Sequence, residues 1–277
     1  MTTAATALTR ATGRLATAGC ESADVDAEIL LAHVLGTTRS GVTASTGREL
    51  DNAALDELDR LVARRELREP LAYVLGEWGF RRLTLNVDAR VLVPRPETEF
   101  VVERCLARIE GIAEPRVLDV GTGSGAIALA IADEAAGARV TAIDASRDAL
   151  EVARENAART GHFVRLVCHD LFHGLPEGPW DLVVSNPPYV REDEIATLEP
   201  EVRDWEPRRA LVGEGATDAV ARGALSVLRP GGALVLETAE RDAGRVHRLL
   251  AALGYTGVRT TKDLTGRDRV VEGELAR

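Results

Sequence analysis

Two short stretches carry residue types suited to chemistry. The first is Asp119-Val120-Gly121-Thr122-Gly123-Ser124-Gly125. It closes the apolar run Arg116–Val120, which predicts a buried strand, and precedes Ala126–Ala132, which predicts a helix. Glycines at such a junction allow a sharp turn and let a ligand approach the backbone closely. Asp144 ends the next predicted strand, close to the ~20-residue spacing at which an acid takes ribose hydroxyls. With Ala126 the stretch also meets the glycine pattern of dinucleotide-binding dehydrogenases. Asp119 separates the two expectations. An acid at the strand end suits an ammonium group, directly or through water, and repels a pyrophosphate. S-adenosylmethionine offers an ammonium and a sulfonium and lacks phosphate, so it is the expected cofactor, held by Asp119, Gly121, Thr122, Gly123, Gly125 and Asp144. Asp170, after the third strand, is placed to accept from an adenine amino group, although its position suits a loop or cap aspartate nearly as well.

The second stretch is Ser185-Asn186-Pro187-Pro188-Tyr189, directly after the apolar run Asp181–Val184. Ligands bind at the carboxyl ends of strands in open α/β sheets. Two prolines cannot continue the ladder; they fix φ at about −65° and hold Asn186 extended. A stiff loop of this kind suits the grip of a planar NH2 group. The Asn186 side-chain oxygen accepts one N–H, the Pro187 carbonyl accepts the other, and Tyr189 stacks on the flat face. An amide nitrogen is a poor nucleophile because its lone pair is delocalised. Accepting both of its protons raises density on nitrogen and stabilises positive charge that grows as a methyl group arrives. The expected chemistry is methylation of a planar nitrogen, with Asn186, Pro187 and Tyr189 in catalytic positions, Pro188 completing the substrate contact and Asn186 also reaching the cofactor. The motif alone leaves adenine, cytosine and glutamine open.

The elements that must position these loops follow from periodicity. Residues 1–75 read as helices only. Thr9–Ala18 is an amphipathic helix that runs into a second, carrying Ile29, Leu30, Val34 and Leu35 and capped by Asp24 or Asp26. Another has Leu55, Leu58, Leu61 and Val62 at helical spacing, and Gly36, Gly41 and Gly47 punctuate between helices. In residues 76–94, Leu83, Leu85 and Val87 alternate with polar residues as in a half-buried strand. Val91–Val93 forms a second short run, Asp88-Ala89-Arg90 a turn, and together they predict a bridging β-hairpin. From residue 95 to 277 strands and helices alternate, with further strands at Val140–Ile143, Val164–Val167, Leu182–Val184 and Ala233–Leu236 and a helix at Ala149–Ala158. This alternation predicts an α/β fold with a mostly parallel, doubly wound sheet.

The 277 residues hold 44 acidic against 34 basic side chains, a net charge of −10 that disfavours nonspecific duplex binding. No run approaches the ~18 apolar residues of a membrane span. Arg10 and Arg14, with no acid among the first twenty residues, faintly suggest a transit peptide, but the amphipathic helix explains them better. Cys20, Cys105 and Cys168 are odd in number and far apart, which gives neither a disulfide framework nor a metal knuckle and suits a reducing cytoplasm.

Taken together the motifs resemble the HemK/PrmC protein-glutamine methyltransferases. The likeness runs over essentially the whole chain: Asp26–Leu35, then Glu69-Pro-Leu-Ala-Tyr73 with Gly76 and Phe80. Val91-Leu-Val-Pro-Arg-Pro-Glu-Thr-Glu99, the glycine loop, Asn-Pro-Pro-Tyr, Glu206-Pro-Arg-Arg-Ala-Leu211 and Gly266-Arg-Asp-Arg-Val270 follow in family order. The resemblance implies an N-terminal helical bundle that docks a class I peptide chain release factor. It also implies a β-hairpin linker, a Rossmann-like class I methyltransferase domain with a seven-stranded sheet, and the glutamine of a Gly-Gly-Gln loop as acceptor. Asn186 and Tyr189 match family substrate positions, and Gly121, Asp144 and Asp170 match cofactor positions. Phe80 and Arg95 match the pattern near the pocket without an independent reason for a contact. Trp78-Gly79 before Phe80 and Arg81-Arg82 after it depart from the family pattern.

Two rival readings are weaker. A DNA N6-adenine methyltransferase uses the same four-residue motif on a flipped base, but the acidic charge and the lack of a basic target-recognition region oppose it, and no direct DNA binding is expected. A non-enzymatic docking module would not need Gly121, Asp144 and Asn186 together. No metal site is expected: His169 and His173 lack further ligands. The acids Glu192-Asp-Glu194, Glu199 and Glu201 read as a solvated loop, Trp180 and Trp205 as packing anchors, and Glu237 has no assigned role.

Overall fold

The computed structural model describes residues 2–276 and divides into two compact units, Met1–Glu77 with Leu198–Trp205, and Trp78–Thr197 with Glu206–Arg277. In the first, a two-residue strand β1 (Thr2–Thr3) leads into α1 (Ala4–Thr17), α2 (Ala23–Val34) and α3 (Arg39–Ala44). Strand β2 (Glu49–Leu50) pairs back on β1, and α4 (Asn52–Glu66) and α5 (Leu71–Leu75) follow. Leu15, Leu30, Leu31, Leu58, Leu61 and Val62 form its core. Three local expectations are corrected. The N-cap of α2 is Ser22, and Asp24 and Asp26 lie in the first turn, where carboxylates favour the positive helix end. Gly41 lies inside α3 rather than between helices. The unit is also not purely helical, since β1 and β2 pair.

Asp26 bonds Arg65 on α4 (Oδ2 to Nε, 2.8 Å), and Arg65 also meets Glu201 at 2.7 Å. Arg68 holds Glu201 by two bonds of 2.7 Å and lies 3.5 Å from Glu199. Glu201 is thus a partner of buried and half-buried arginines rather than part of a solvated loop, whereas Glu199 stays exposed as expected.

The hairpin comprises β3 (Glu77–Phe80) and β4 (Leu83–Asn86), with Arg81-Arg82 at its turn. The expected second strand, Val91–Val93, is not one. The partner of β4 lies before it in the chain, and Arg81 makes the tight turn at φ +50°. Val91 and Val93 are buried as loop residues.

The second unit continues with α6 (Thr98–Ile109), β5 (Arg116–Val120), α7 (Ala126–Glu134), β6 (Arg139–Asp144), α8 (Arg147–Thr160) and β7 (Arg165–Cys168). Strand β8 (Trp180–Ser185) precedes the short helices α9 (Pro200–Arg203, in the first unit) and α10 (Arg208–Leu211). The chain ends with α11 (Ala216–Val227), β9 (Leu228–Glu237), α12 (Glu240–Ala252), β10 (Thr256–Lys262) and β11 (Asp268–Glu274). The sheet has seven strands in the order β10-β11-β9-β8-β5-β6-β7. The five strands from β9 to β7 are parallel, and β10 and β11 are antiparallel additions that apolar alternation did not reveal. Both faces are covered, as parallel sheets require. Val117, Leu182, Val184 and Val235 pack with Val101, Cys105 and Leu129 on one face, and Leu118, Val183, Leu234 and Leu236 pack with Val220, Ala224 and Val246 on the other. The chain leaves β5 to one side through β6 and β7 and to the other through β8 and β9, so the switch point lies at the carboxyl end of β5.

Asn156 of α8 ties the hairpin to the glycine loop. It is 0% exposed; its Nδ2 donates to the carbonyls of Asn86 (3.0 Å) and Ser124 (2.9 Å), and its Oδ1 accepts from Asn86 N at 2.6 Å. Replacement by alanine strands three backbone groups, that of Ser124 buried and the two of Asn86 part-buried. Asn156→Ala is expected to lower stability by about 2–4 kcal/mol, read as a fall in the urea midpoint at unchanged m-value.

Candidate active site

Parallel pairing aligns the strand ends. Val120 sits opposite Ile143 on β6 and Ser185 on β8, and Asp144 opposite Cys168 on β7. The loops after these strands therefore emerge at one level and enclose a cavity of about 490 Å³. Gly121, Thr122, Gly123, Asp144, Asp170, Asn186 and Pro188 line it, so the two motifs face the same space. Asp119, Gly125, Pro187 and Tyr189 do not line the wall.

The glycine loop turns on left-handed residues, with φ of +76° at Gly121 and +56° at Gly123. Gly125 needs glycine twice over: its φ is +84°, and a Cβ would stand 3.1 Å from Leu129 Cδ1. Gly121 N and Thr122 N both donate to the Ile143 carbonyl (2.8 and 3.0 Å), and Gly123 N donates to Asp144 Oδ2 at 2.9 Å. Three successive amides are therefore spent inside the protein. A phosphate-cradling loop presents such amides to its ligand; this one does not.

The acids are differently placed. Asp119 is 0% exposed; Oδ2 accepts from the Thr122 hydroxyl at 2.7 Å, while Oδ1 is buried without a partner. Burial, aided by the nearby Asp144 charge, pushes its carboxyl up to about 7 against the Thr122 hydrogen bond. An orphaned buried carboxylate oxygen beside a glycine turn fits a cationic group and no phosphate. Asp144 also accepts from Ser146 N at 2.8 Å, and burial raises its pKa despite the backbone amides. Asp170 faces the cavity and also caps the 3-10 turn Leu171–His173, Oδ1 accepting from Phe172 N at 2.9 Å. The cap reading of that residue is therefore observed, and its place on the cavity wall leaves it within the same space as the glycine loop.

The proline loop is braced from three sides. The Ser185 hydroxyl donates to the Val120 carbonyl at 2.7 Å, locking its root to the root of the glycine loop. Val190 N donates to the Leu211 carbonyl at 2.9 Å, and Arg241 Nη2 to the Tyr189 carbonyl at 3.1 Å. Gly213 lies so near that a Cβ there would meet Pro188 Cγ at 2.2 Å. The Asn186 side chain donates from Nδ2 to the Thr98 hydroxyl at 3.3 Å. Tyr189 is turned away from the cavity, its hydroxyl 3.3 Å from Glu237 Oε1; burial and the Glu237 charge raise its pKa. Arg95 lines the cavity and is held by Glu206 at 2.8 and 2.7 Å. Phe80 does not line it but belongs to the core beneath the hairpin. Sequence reasoning left Thr98, Gly213 and Glu237 without a role. Only Thr98 carried a signal, as part of the Arg-Pro-Glu-Thr-Glu stretch.

The comparisons agree with this geometry. Residues 6–76 match the PrmC N-terminal domain and residues 98–202 the methyltransferase small domain. The release factor glutamine methyltransferase of Deinococcus radiodurans is 45% identical over 97% of each chain. That of Caulobacter vibrioides is 42% identical over 96% of this chain and 94% of its own. A solved Pyrococcus furiosus methyltransferase is similar at TM-score 0.52 and 22% identity, covering 70% of this chain and 89% of that one, a likeness of fold alone. Among the described residues no helix is long and apolar enough to cross a membrane.

A carboxyl raised in the folded state binds more protons there than in the unfolded chain. Its contribution to stability is thus greatest in acid and is lost as pH rises toward about 7. Asp119→Asn is expected to remove this term. The stability difference, variant minus wild type, should grow between pH 4 and 7 and level off above, as measured by urea unfolding across that range.

Proposed function

The chain belongs to the release factor glutamine methyltransferase family, and we propose that it transfers a methyl group from S-adenosylmethionine to the side-chain amide nitrogen of a glutamine. The acceptor is the glutamine of the Gly-Gly-Gln loop in class I peptide chain release factors, in the cytoplasm. The observation that carries the reading is that Asn186 and Pro188 of the braced proline turn line the same cavity as a glycine loop whose Gly121, Thr122 and Gly123 amides are bonded within the protein.

S-adenosylmethionine, when bound, supplies a methyl group on a sulfonium centre. Asp119 is the acid for its ammonium group, directly or through water. Gly121, Thr122, Gly123 and Gly125 shape the turn against it, Asp144 takes ribose hydroxyls and Asp170 the adenine amino group. Asn186 Oδ1 and the Pro187 carbonyl accept the two N–H bonds of the glutamine amide. They raise density on nitrogen and stabilise the positive charge that grows there. Fixing the nitrogen in place removes much of the entropic cost of reaction. The proton leaves after transfer, when its acidity has risen, so no strong base is required. Pro188 completes the substrate side, while Tyr189, turned toward Glu237, supports the loop from outside the cavity wall. Residues 1–75 dock the release factor, 76–94 link, and 95–277 carry the transfer.

Incubation with cofactor and a class I release factor should add one methyl group to the Gly-Gly-Gln glutamine, located by mass spectrometry. An unmodified glutamine beside folded, cofactor-bound enzyme would refute the proposal, and label in duplex DNA instead would replace it with the adenine reading. Asn186→Ala should lower kcat by about 10²–10³-fold while leaving cofactor affinity nearly intact.

A second outcome follows from Asp119. Its carboxyl at about 7 is partly protonated at neutral pH, and a cation beside it favours the ionised form. Cofactor binding at pH 7 should release about half a proton, seen by calorimetry in buffers of different ionisation enthalpy. Asp119→Asn should abolish the release.

A further inference from the structure

The proline loop meets a further group of hydrogen-bonded side chains, of which Thr98 lines the cavity and Glu237 and Tyr189 do not. Glu237 ends β9 and is 1% exposed; Thr98 opens α6 and is 4% exposed. The Thr98 hydroxyl donates to Glu237 Oε2 at 2.7 Å, and the Tyr189 hydroxyl donates to Oε1 at 3.3 Å. Asn186 Nδ2 in turn donates to the Thr98 oxygen at 3.3 Å.

Donor and acceptor counting gives this arrangement a direction. A hydroxyl has one hydrogen, and an ionised carboxylate only accepts. Once Thr98 has given its hydrogen to Glu237, its oxygen presents lone pairs to Asn186. These welcome an amide NH2 and repel an amide oxygen. The Asn186 amide is planar and its two ends are nearly equal in size, so packing alone does not choose between them. The Thr98 lone pairs do choose, and they leave Oδ1 for the cavity that Asn186 lines. The reversed amide would point two hydrogens at an incoming NH2 group, which can give no useful hydrogen bond.

We propose that Thr98 and Glu237 are positioning residues that fix which end of the Asn186 amide faces the substrate. The inference rests on the glutamine-methylating reading above. Glu237 is enclosed by Thr98 and Tyr189, with the Arg269 charge favouring its ionised form and the Glu97 charge opposing it. Its carboxyl, pushed by burial up to about 7, is ionised at pH 8, where the order of donors holds.

The test uses the full chain at pH 8 with Thr98→Val, which removes the hydroxyl and keeps the branching, and Thr98→Ser, which keeps the hydroxyl. Thr98→Val should lower kcat about ten- to a hundredfold, with cofactor affinity and KM for the release factor little changed, and Thr98→Ser should restore most of the rate. A second readout needs no turnover. In 15N spectra the Asn186 side-chain NH2, assigned by its loss in Asn186→Ala, should show one hydrogen protected from solvent exchange in wild type and in Thr98→Ser, and neither in Thr98→Val. Wild-type turnover in Thr98→Val, equal damage in both variants, or an unchanged Asn186 signal in Thr98→Val would overturn the proposal. If wild type methylates no glutamine, the functional reading fails, and the amide spectra still decide whether Thr98 sets the orientation.

Discussion

The site depends on the register of parallel strands. Because Val120 stands opposite both Ile143 and Ser185, the chain leaves β5, β6 and β8 at one height, and everything placed one or two residues later meets in the same space. A slip by one residue in β8 would turn every side chain of that strand to the other face of the sheet. Leu182 and Val184 would then exchange faces with Val183, so the same burial that stabilises the sheet also holds Asn186 at its post. The Ser185 hydroxyl on the Val120 carbonyl adds a direct tie at the point where both loops begin.

Against this rigid frame the protein keeps two fully buried carboxyl groups that lack an arginine partner of the kind Glu272 has. Asp119 is incompletely partnered and Glu237 is surrounded by hydroxyls. Burying an acid costs free energy unless it is neutralised or fully bonded, and both groups answer by moving toward neutrality. One has an oxygen to spare, as a cation would require; the other uses both oxygens to order neighbouring hydroxyls. The same residue type thus does two jobs, set by how many donors surround it.

Much of this was legible in the sequence because it is local. The strand ends at Val120, Asp144 and Ser185, the glycine turn and the two prolines each follow from short-range sterics, and both motifs do line one cavity. The hairpin was misjudged because Leu83–Val87 and Val91–Val93 are both apolar runs. Burial alone does not distinguish a paired strand from a buried loop, and the true partner, Glu77–Phe80, has no alternation to mark it. Strand β10 was invisible for a related reason: Thr256–Lys262 is an edge strand with mostly polar side chains, and β11, though interior, has only Val270 and Val271 as apolar residues. Thr98, Gly213 and Glu237 lie 88, 27 and 51 positions from Asn186, and only tertiary structure makes them neighbours of the loop.

The eight residues Leu198–Trp205 belong to the helical unit although they lie deep in the second half of the chain. Glu201 supplies counter-charge for the buried Arg65 and the half-buried Arg68. The helical unit is therefore not a detachable N-terminal bead. Cut at residue 77, it would lose an acid from within its own fabric, leaving Arg65 with Asp26 alone and Arg68 without Glu199 or Glu201, while the remainder would carry a strap with nothing to fasten it. Recombination among relatives that exchanged only the first seventy-odd residues would have to re-match that strap as well, so the two parts are bound to drift in concert.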